Sequence, residues 1–216
     1  MMIKVVSFDI GGTLLEDSHD NPNNYNLKEL AKIVNIPYEN VRDVYKNVFQ
    51  KSNGTLNELV GKFCNDLGSN TENLNNFFIG KFSDNNINNT ISNDKITLIR
   101  DLKENGYKVI LFSNSCCLLN NDAIKEIYDL VDGVFYSYDI GYTKDDKESY
   151  QYVEKTLNVK PTEILHIGDT LKSDYLKPVE NGWNALFYGA SDDESVNCIS
   201  SLMELYDFFD IRTSKK

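Results

Sequence analysis

Short runs of consecutive apolar residues, rich in β-branched side chains, recur along the chain. They are IKVVSFDI (3–10), YKVILFS (107–113), GVFYS (133–137), EILHIGD (163–169) and NALFYG (184–189). Near-continuous hydrophobicity over so short a span fits strands covered on both faces, as in a parallel sheet. Between these runs the apolar positions recur at helical spacing. DKITLIRDLKENG (94–106) lines up Ile96, Ile99 and Leu102 and stops at Gly106. NDAIKEIYDLV (121–131) and KESYQYVEKTLNV (147–159) repeat the pattern, and SVNCISSLMELYDFF (195–209) reads as a closing helix. Strands alternating with helices predict an α/β, doubly wound, Rossmann-like parallel sheet.

The interval from 17 to 90 breaks this alternation. LKELAKIVNI (27–36), ENVRDVYKNVF (39–49), TLNELVGKFCNDLG (55–68) and TENLNNFFIGKF (71–82) read as four amphipathic helices. Asn-rich joints flank or separate them at 21–24 and 85–89. Tyr45, Phe49, Phe77 and Phe78 supply a core of their own. The expected organisation is a core domain from residues 1–16 and 91–216 with a small all-helical cap, 17–90, inserted after the first strand. Such an insert would close over the carboxyl ends of the strands, where open α/β sheets bind ligands.

Composition narrows the function classes. The chain has 216 residues, 41% of them hydrophobic, and a net charge of −11. An acidic balance of that size argues against a nucleic-acid surface, which needs clustered Lys and Arg, and against anionic membranes. The first residues, MMIKVVSFDIGG, are too short and too interrupted by Lys4 and Asp9 for a signal peptide, and no stretch approaches a membrane span. Cys64, Cys116, Cys117 and Cys198 form no CxxC pair, and only His19 and His166 could join them, so a zinc site is not expected. The expectation is a soluble cytoplasmic protein, monomer or homodimer.

Four polar clusters each follow an expected strand: Asp9; Ser113-Asn114-Ser115; Lys144; and Gly168-Asp169-Thr170 with Asp174. Right-handed parallel crossovers bring such strand ends to one edge of the sheet. In this order the clusters resemble the four motifs of the haloacid dehalogenase superfamily, in its subfamily with a helical cap between the first two motifs. The family's Asp-x-Asp-x-Thr is matched by Asp9-Ile10-Gly11-Gly12-Thr13, except at Gly11. Its strand-end Ser or Thr is matched by Ser113, its Lys by Lys144, and its Gly-Asp with a further Asp by Gly168, Asp169 and Asp174.

The resemblance implies a Mg²⁺-dependent hydrolase acting on a small phosphorylated substrate. Asp9 would attack phosphorus and form an aspartyl-phosphate. Asp9, the Gly11 carbonyl and Asp169 would ligate Mg²⁺, with Asp174 a direct ligand or the holder of a bound water. Gly12, Thr13, Ser113, Asn114 and Lys144 would hold the phosphoryl group, Lys144 also neutralising charge.

Gly11 is the departure, because the family's phosphatases carry there the acid that protonates the leaving oxygen. General acid–base help is worth about 10²–10⁴-fold. Three readings follow. One is a phosphatase of reduced or restricted activity, borrowing an acid from Glu16, Asp17 or His19. Another is carbon–phosphorus or carbon–halogen chemistry, where a cap lysine (Lys28, Lys32, Lys46, Lys51 or Lys62) would form a Schiff base in the phosphonatase case. The third is a non-catalytic phosphate- or metal-binding module. His166 reads as a packed structural residue, Trp183 as a wedge between helix and sheet, and Cys116 and Cys117 as spectators.

Overall fold

A computed structural model describes residues 2–15, 27–69, 74, 77–79, 90–119 and 122–211. Six parallel strands form one sheet: β1 (Val5–Phe8), β2 (Lys108–Ser113), β3 (Gly133–Tyr136), β4 (Ile164–Gly168), β5 (Asn184–Tyr188) and β6 (Cys198–Ile199). Their order is β3-β2-β1-β4-β5-β6. The chain thus winds outward from β1 in both directions, and the switch point lies between β1 and β4. Phe8 pairs with Leu111 of β2 and Ile167 of β4, so these three strands end at one level.

Helices cover both faces, as the continuous apolar runs require. Val6, Phe8, Val109, Leu111, Leu165 and Ile167 point to one face and meet Leu98, Ile99 and Leu102 of α4 (Asn93–Glu104). The other face carries Val5, Ile110, Phe112 and Ile164 against Tyr150 and Val153 of α7 (Lys147–Leu157). Trp183 wedges here, fully packed, and its indole N–H donates to Glu154 of α7 at 2.8 Å.

Between β1 and α4 lie α1 (Leu27–Val34), α2 (Tyr38–Tyr45), which continues into a wide turn at Lys46–Gln50, and α3 (Leu56–Leu67). Thr55 and Glu58 cap the start of α3 reciprocally, and Gly68 ends it at φ +63°. These helices bury a cluster separate from the two sheet faces, built on Leu30, Val41, Phe49, Val60 and Phe63. Phe49 stacks on Tyr45 and on Phe78, with centroids 4.9 and 4.8 Å apart. Of the expected fourth helix only Leu74 and Phe77–Ile79 are described, and the joints at 21–24 and 85–89 lie outside the described residues.

Two expected helices are broken. The segment 121–131 forms only α5 (Asp122–Lys125) and a tight turn at Tyr128–Leu130, because Ile124 and Ile127 both turn into the core. The closing segment is not one helix. Cys198 and Ile199 pair with Phe187 and Tyr188 to make β6. Ser201 then opens a fresh cap with Glu204, leading into α9 (Leu205–Phe208). Consecutive Ser200 and Ser201, whose hydroxyls compete for backbone bonds, separate strand from helix. The two short helices not yet placed are α6 (Ser137–Ile140) and α8 (Lys177–Glu180).

Candidate active site

Asp9 sits one residue beyond β1, where its N–H continues the ladder to the Ile167 carbonyl at 2.9 Å. The loop after it folds back through Leu15 N–H to the Ile10 carbonyl at 2.8 Å. Gly12 takes φ +69° in this loop, and a Cβ there would stand 2.1 Å from Asp169 Oδ2. Glycine at 12 is therefore what lets the β4 carboxylate lie against the β1 loop. Gly168 has the matching role for the next acid: its Cβ would meet Asp174 Cγ at 2.5 Å. Thr13, fully buried, faces Asp169 Oδ1 across 3.4 Å, so its hydroxyl supports that carboxylate.

Lys144 arrives from the other side. The left-handed Gly141 ends α6. Asp146 then closes a turn by accepting from the Thr143 N–H and hydroxyl, both at 2.8 Å. The Lys144 backbone is held twice: its N–H donates to Asn114 Oδ1 and its carbonyl accepts from Tyr150 O–H, each at 2.8 Å. Ser137 Oγ accepts from Ser115 N–H at 3.0 Å and joins the loops after β2 and β3. The side chain is only 1% exposed, lies over the Phe112 ring, and brings Nζ to 2.6 Å from both Asp9 Oδ1 and Asp174 Oδ1.

Asp9, Asp169 and Asp174 offer oxygens within 4.8 Å of one another. One ammonium is shared among three carboxylates, and the titrations show where its charge goes. Burial pushes Asp9 up to about 7; Lys144 opposes the rise, while Asp174 and Asp169 add to it. Burial also works to raise Asp174, yet Lys144 and the His166 hydrogen bond outweigh it and hold that carboxyl well below its usual range. Burial disfavours the Lys144 charge, but Asp174 and Asp9 prevail and raise it. Such a trio of hard oxygens, short of positive charge, fits a divalent cation such as Mg²⁺.

Ser113 closes β2 at 6% exposure, and its hydroxyl has no hydrogen-bond partner among the described residues. Burying a hydroxyl unpaired is costly, so an oxygen of a bound ligand would complete it. Cap residues reach the same rim. Lys46 pairs with Asp145 at 2.6 Å, Lys51 with Asp146 at 2.7 Å, and Asn53 with Asp139 at 2.9 Å.

The structure thus brings Asp9, Ser113, Asn114, Lys144, Asp169 and Asp174 together, as the motif order implied, with Gly11, Gly12 and Thr13 in the loop beside them. Glu16, Asp17 and His19 lie outside the described residues. Cys116 is buried, which pushes its thiol up to about 12, and it takes no part. His166 stands closer to the site than its reading as a packing residue implied. Its Nε2 is 3.3 Å from Asp174 Oδ1 and its Nδ1 is 2.9 Å from Ser7 Oγ. Burial and then the Lys144 charge push it down to about 4, so the ring is neutral at pH 7. The signal available in sequence was a polar residue inside each of two otherwise apolar strands.

Comparison with known proteins agrees with this geometry. The profile of the haloacid dehalogenase-like hydrolases matches residues 3–176. No curated protein matches the chain significantly. Among solved structures, the fold resembles a 2-haloacid dehalogenase from Pseudomonas syringae at 16% identity and TM-score 0.63, covering 97% of this chain and 99% of that one. It resembles YfnB of Bacillus subtilis, solved bound to magnesium, at 18% identity and TM-score 0.62, covering 98% and 100%. It also resembles a HAD family enzyme, bt-2542, of Bacteroides thetaiotaomicron at 19% identity and TM-score 0.61, covering 90% and 98%. At these identities the likeness concerns the fold. The profile match spans most of the chain, and the chain belongs to the haloacid dehalogenase-like hydrolases.

Proposed function

We propose that this chain is a Mg²⁺-dependent phosphatase of a small phosphorylated metabolite, with Asp9 as nucleophile and a substrate range restricted by Gly11. The observation that carries the reading is the pairing of Asp9 with buried Lys144 at 2.6 Å inside a trio of carboxylates. A nucleophilic carboxylate needs positive charge to approach a phosphate dianion. A dehalogenase needs no such acidic trio. Support for the metal comes from relatives: YfnB was solved bound to magnesium, and bt-2542 in complex with magnesium and inorganic phosphate.

Asp9, Asp169 and the Gly11 carbonyl would hold the ion. Bound there, Mg²⁺ would supply the positive charge that lets an anionic substrate enter and favours ionised Asp9. Asp174 already accepts three protein hydrogen bonds, from Lys144, His166 and Thr170 N–H, so in this reading it orients Lys144. The Ser113 hydroxyl and Asn114 would receive phosphoryl oxygens. Asp9 attacks phosphorus, the P–O bond to the leaving group breaks, and water later releases phosphate and restores the carboxylate. Nothing at position 11 protonates the leaving oxygen, so substrates whose oxygen leaves unprotonated are favoured. The segment 17–90 acts as the cap, in a cytoplasmic monomer or homodimer.

Of the lysines available for phosphonatase chemistry, Lys46 and Lys51 are paired with Asp145 and Asp146, and Lys62 donates to Ser52. A Schiff base would need one of them released. The test is phosphate release with Mg²⁺ from an aryl and an alkyl phosphate, with halide release from a 2-chloro acid measured alongside. Turnover of the aryl ester well above the alkyl, abolished in Asp9→Asn, is the expected result. Halide release without phosphate release would replace the reading with a dehalogenase, and phosphate binding without turnover would replace it with a binding module.

A further inference from the structure

Ser7 and His166 are fully buried polar residues facing each other across β1 and β4, in strands that are otherwise apolar at their core positions. Packing alone does not call for them. The His166 ring lies among Phe112 and Trp183, with centroids 5.8 and 6.3 Å away, where an apolar side chain would serve without the cost of burying polar atoms. What the pair adds is a directed chain of hydrogen bonds. A carboxylate only accepts, so His166 Nε2 carries the proton shared with Asp174 Oδ1. In the neutral ring Nδ1 then accepts, and the Ser7 hydroxyl donates to it at 2.9 Å. Ser7 therefore fixes the tautomer that lets His166 donate.

The acceptor matters. Asp174 Oδ1 takes both the His166 N–H at 3.3 Å and the Lys144 ammonium at 2.6 Å, while Oδ2 is fixed by Thr170 N–H at 2.9 Å. Two donors on one oxygen compete for its charge. The His166 bond weakens the hold of Asp174 on Lys144 and leaves more of the ammonium for Asp9, whose Oδ1 is also 2.6 Å away. We propose that His166, its tautomer set by Ser7, is a positioning residue that acts through Asp174 to set how Lys144 is shared with Asp9. Its effect on turnover rests on the reading of Asp9 as the nucleophile; its effect on Lys144 does not.

The experiment compares His166→Leu, His166→Gln and Ser7→Ala with the parent protein. Glutamine can still donate to Asp174 and leucine cannot. NMR of the imidazole nitrogens and of the Lys144 ammonium is read together with kcat, KM and melting temperature on an aryl phosphate with Mg²⁺. The chain has one other histidine, so assignment is direct. The parent is expected to show the Nε2–H tautomer. The leucine variant, folded, should shift the Lys144 ammonium signal and lose roughly tenfold in kcat with KM within about twofold, as indirect partners of a site do. Glutamine should restore both. Ser7→Ala, the smaller change, should loosen the tautomer and lower kcat severalfold, and it decides the question if leucine at 166 does not fold. An Nδ1–H tautomer, or a Lys144 signal indifferent to all three variants, would overturn the proposal. Losses that follow melting temperature equally in the glutamine and leucine variants would reduce His166 to packing. If the parent releases no phosphate, the nucleophile reading fails, and the Lys144 signal still decides the positioning.

Discussion

Gly168→Ala is the sharpest perturbation the geometry offers, because it moves one carboxylate and alters no charge. Position 168 has no left-handed backbone, so alanine adds no conformational strain of its own. The added Cβ would stand 2.5 Å from Asp174 Cγ, 2.6 Å from its Cβ and 2.8 Å from its Oδ2. Carbon atoms in contact sit about 3.5–4.0 Å apart, so Asp174 must withdraw by roughly 1 Å. Overpacking of this kind costs about 1–3 kcal/mol, and a chain of this length loses about 2–4 °C of Tm per kcal/mol. The larger effect falls on the site. Asp174 holds Lys144 at 2.6 Å, and a displacement of about 1 Å near reacting groups can cost about 10²-fold. The assay is thermal unfolding beside aryl phosphate turnover. Gly61→Ala, in α3 with nothing within 4 Å of the new methyl, is the control and should be neutral or stabilising with kcat unchanged. If Gly168→Ala keeps the parent Tm and kcat, Asp174 is not pinned as described, and the account of Lys144 falls with it.

Three further outcomes follow from the same geometry. Lys144→Met leaves Asp9 and Asp174 buried without their shared cation, so the metal-free protein should lose about 3–5 kcal/mol in denaturant unfolding; a loss below about 1 kcal/mol would mean the pair is not buried as found. Lys46→Ala with Lys51→Ala removes both ion pairs between cap and Lys144 loop. These pairs are partly exposed and worth under about 1 kcal/mol each, so kcat/KM should fall severalfold and lose the salt dependence of the parent; an unchanged salt slope would count against cap docking through them. Gly11→Asp should raise turnover of alkyl phosphates. The positive φ of the loop falls at Gly12, which leaves position 11 open to an aspartate, and unchanged alkyl rates would show that another acid already does the work.

The fold was legible because both covered faces of the sheet leave their mark on every strand. The runs 107–113, 163–169 and 184–189 differ from the observed β2, β4 and β5 by a residue or so at each end. The misread ends share one cause. At 195–209, helical spacing is satisfied by residues that face the core for another reason, Ile199 from an edge strand and Leu202 and Leu205 from a new helical start. A two-residue strand such as β6 has no period of its own; its partner strand defines it.

The site divides along a similar line. Residues that meet the substrate stand at strand ends, so chain order and a parallel sheet are enough to gather Asp9, Ser113 and Asp169. How much charge each holds depends on depth and on neighbours distant in sequence. Lys144 reads as a solvated loop charge until Asn114, Tyr150 and Asp174 are seen to enclose it. His166 reads as packing until Ser7, 159 positions away, supplies the donor that aims it. Gly11 is the opposite case, plain from the sequence alone as a missing acid. What the structure adds is that the rest of the loop is intact: Gly12 still admits Asp169, and Lys144 still pairs with Asp9. A loop that had lost its chemistry as a whole would have no need of a glycine whose added methyl strikes a carboxylate. The departure at position 11 therefore reads as the loss of one proton-transfer group from a site whose other parts still fit together.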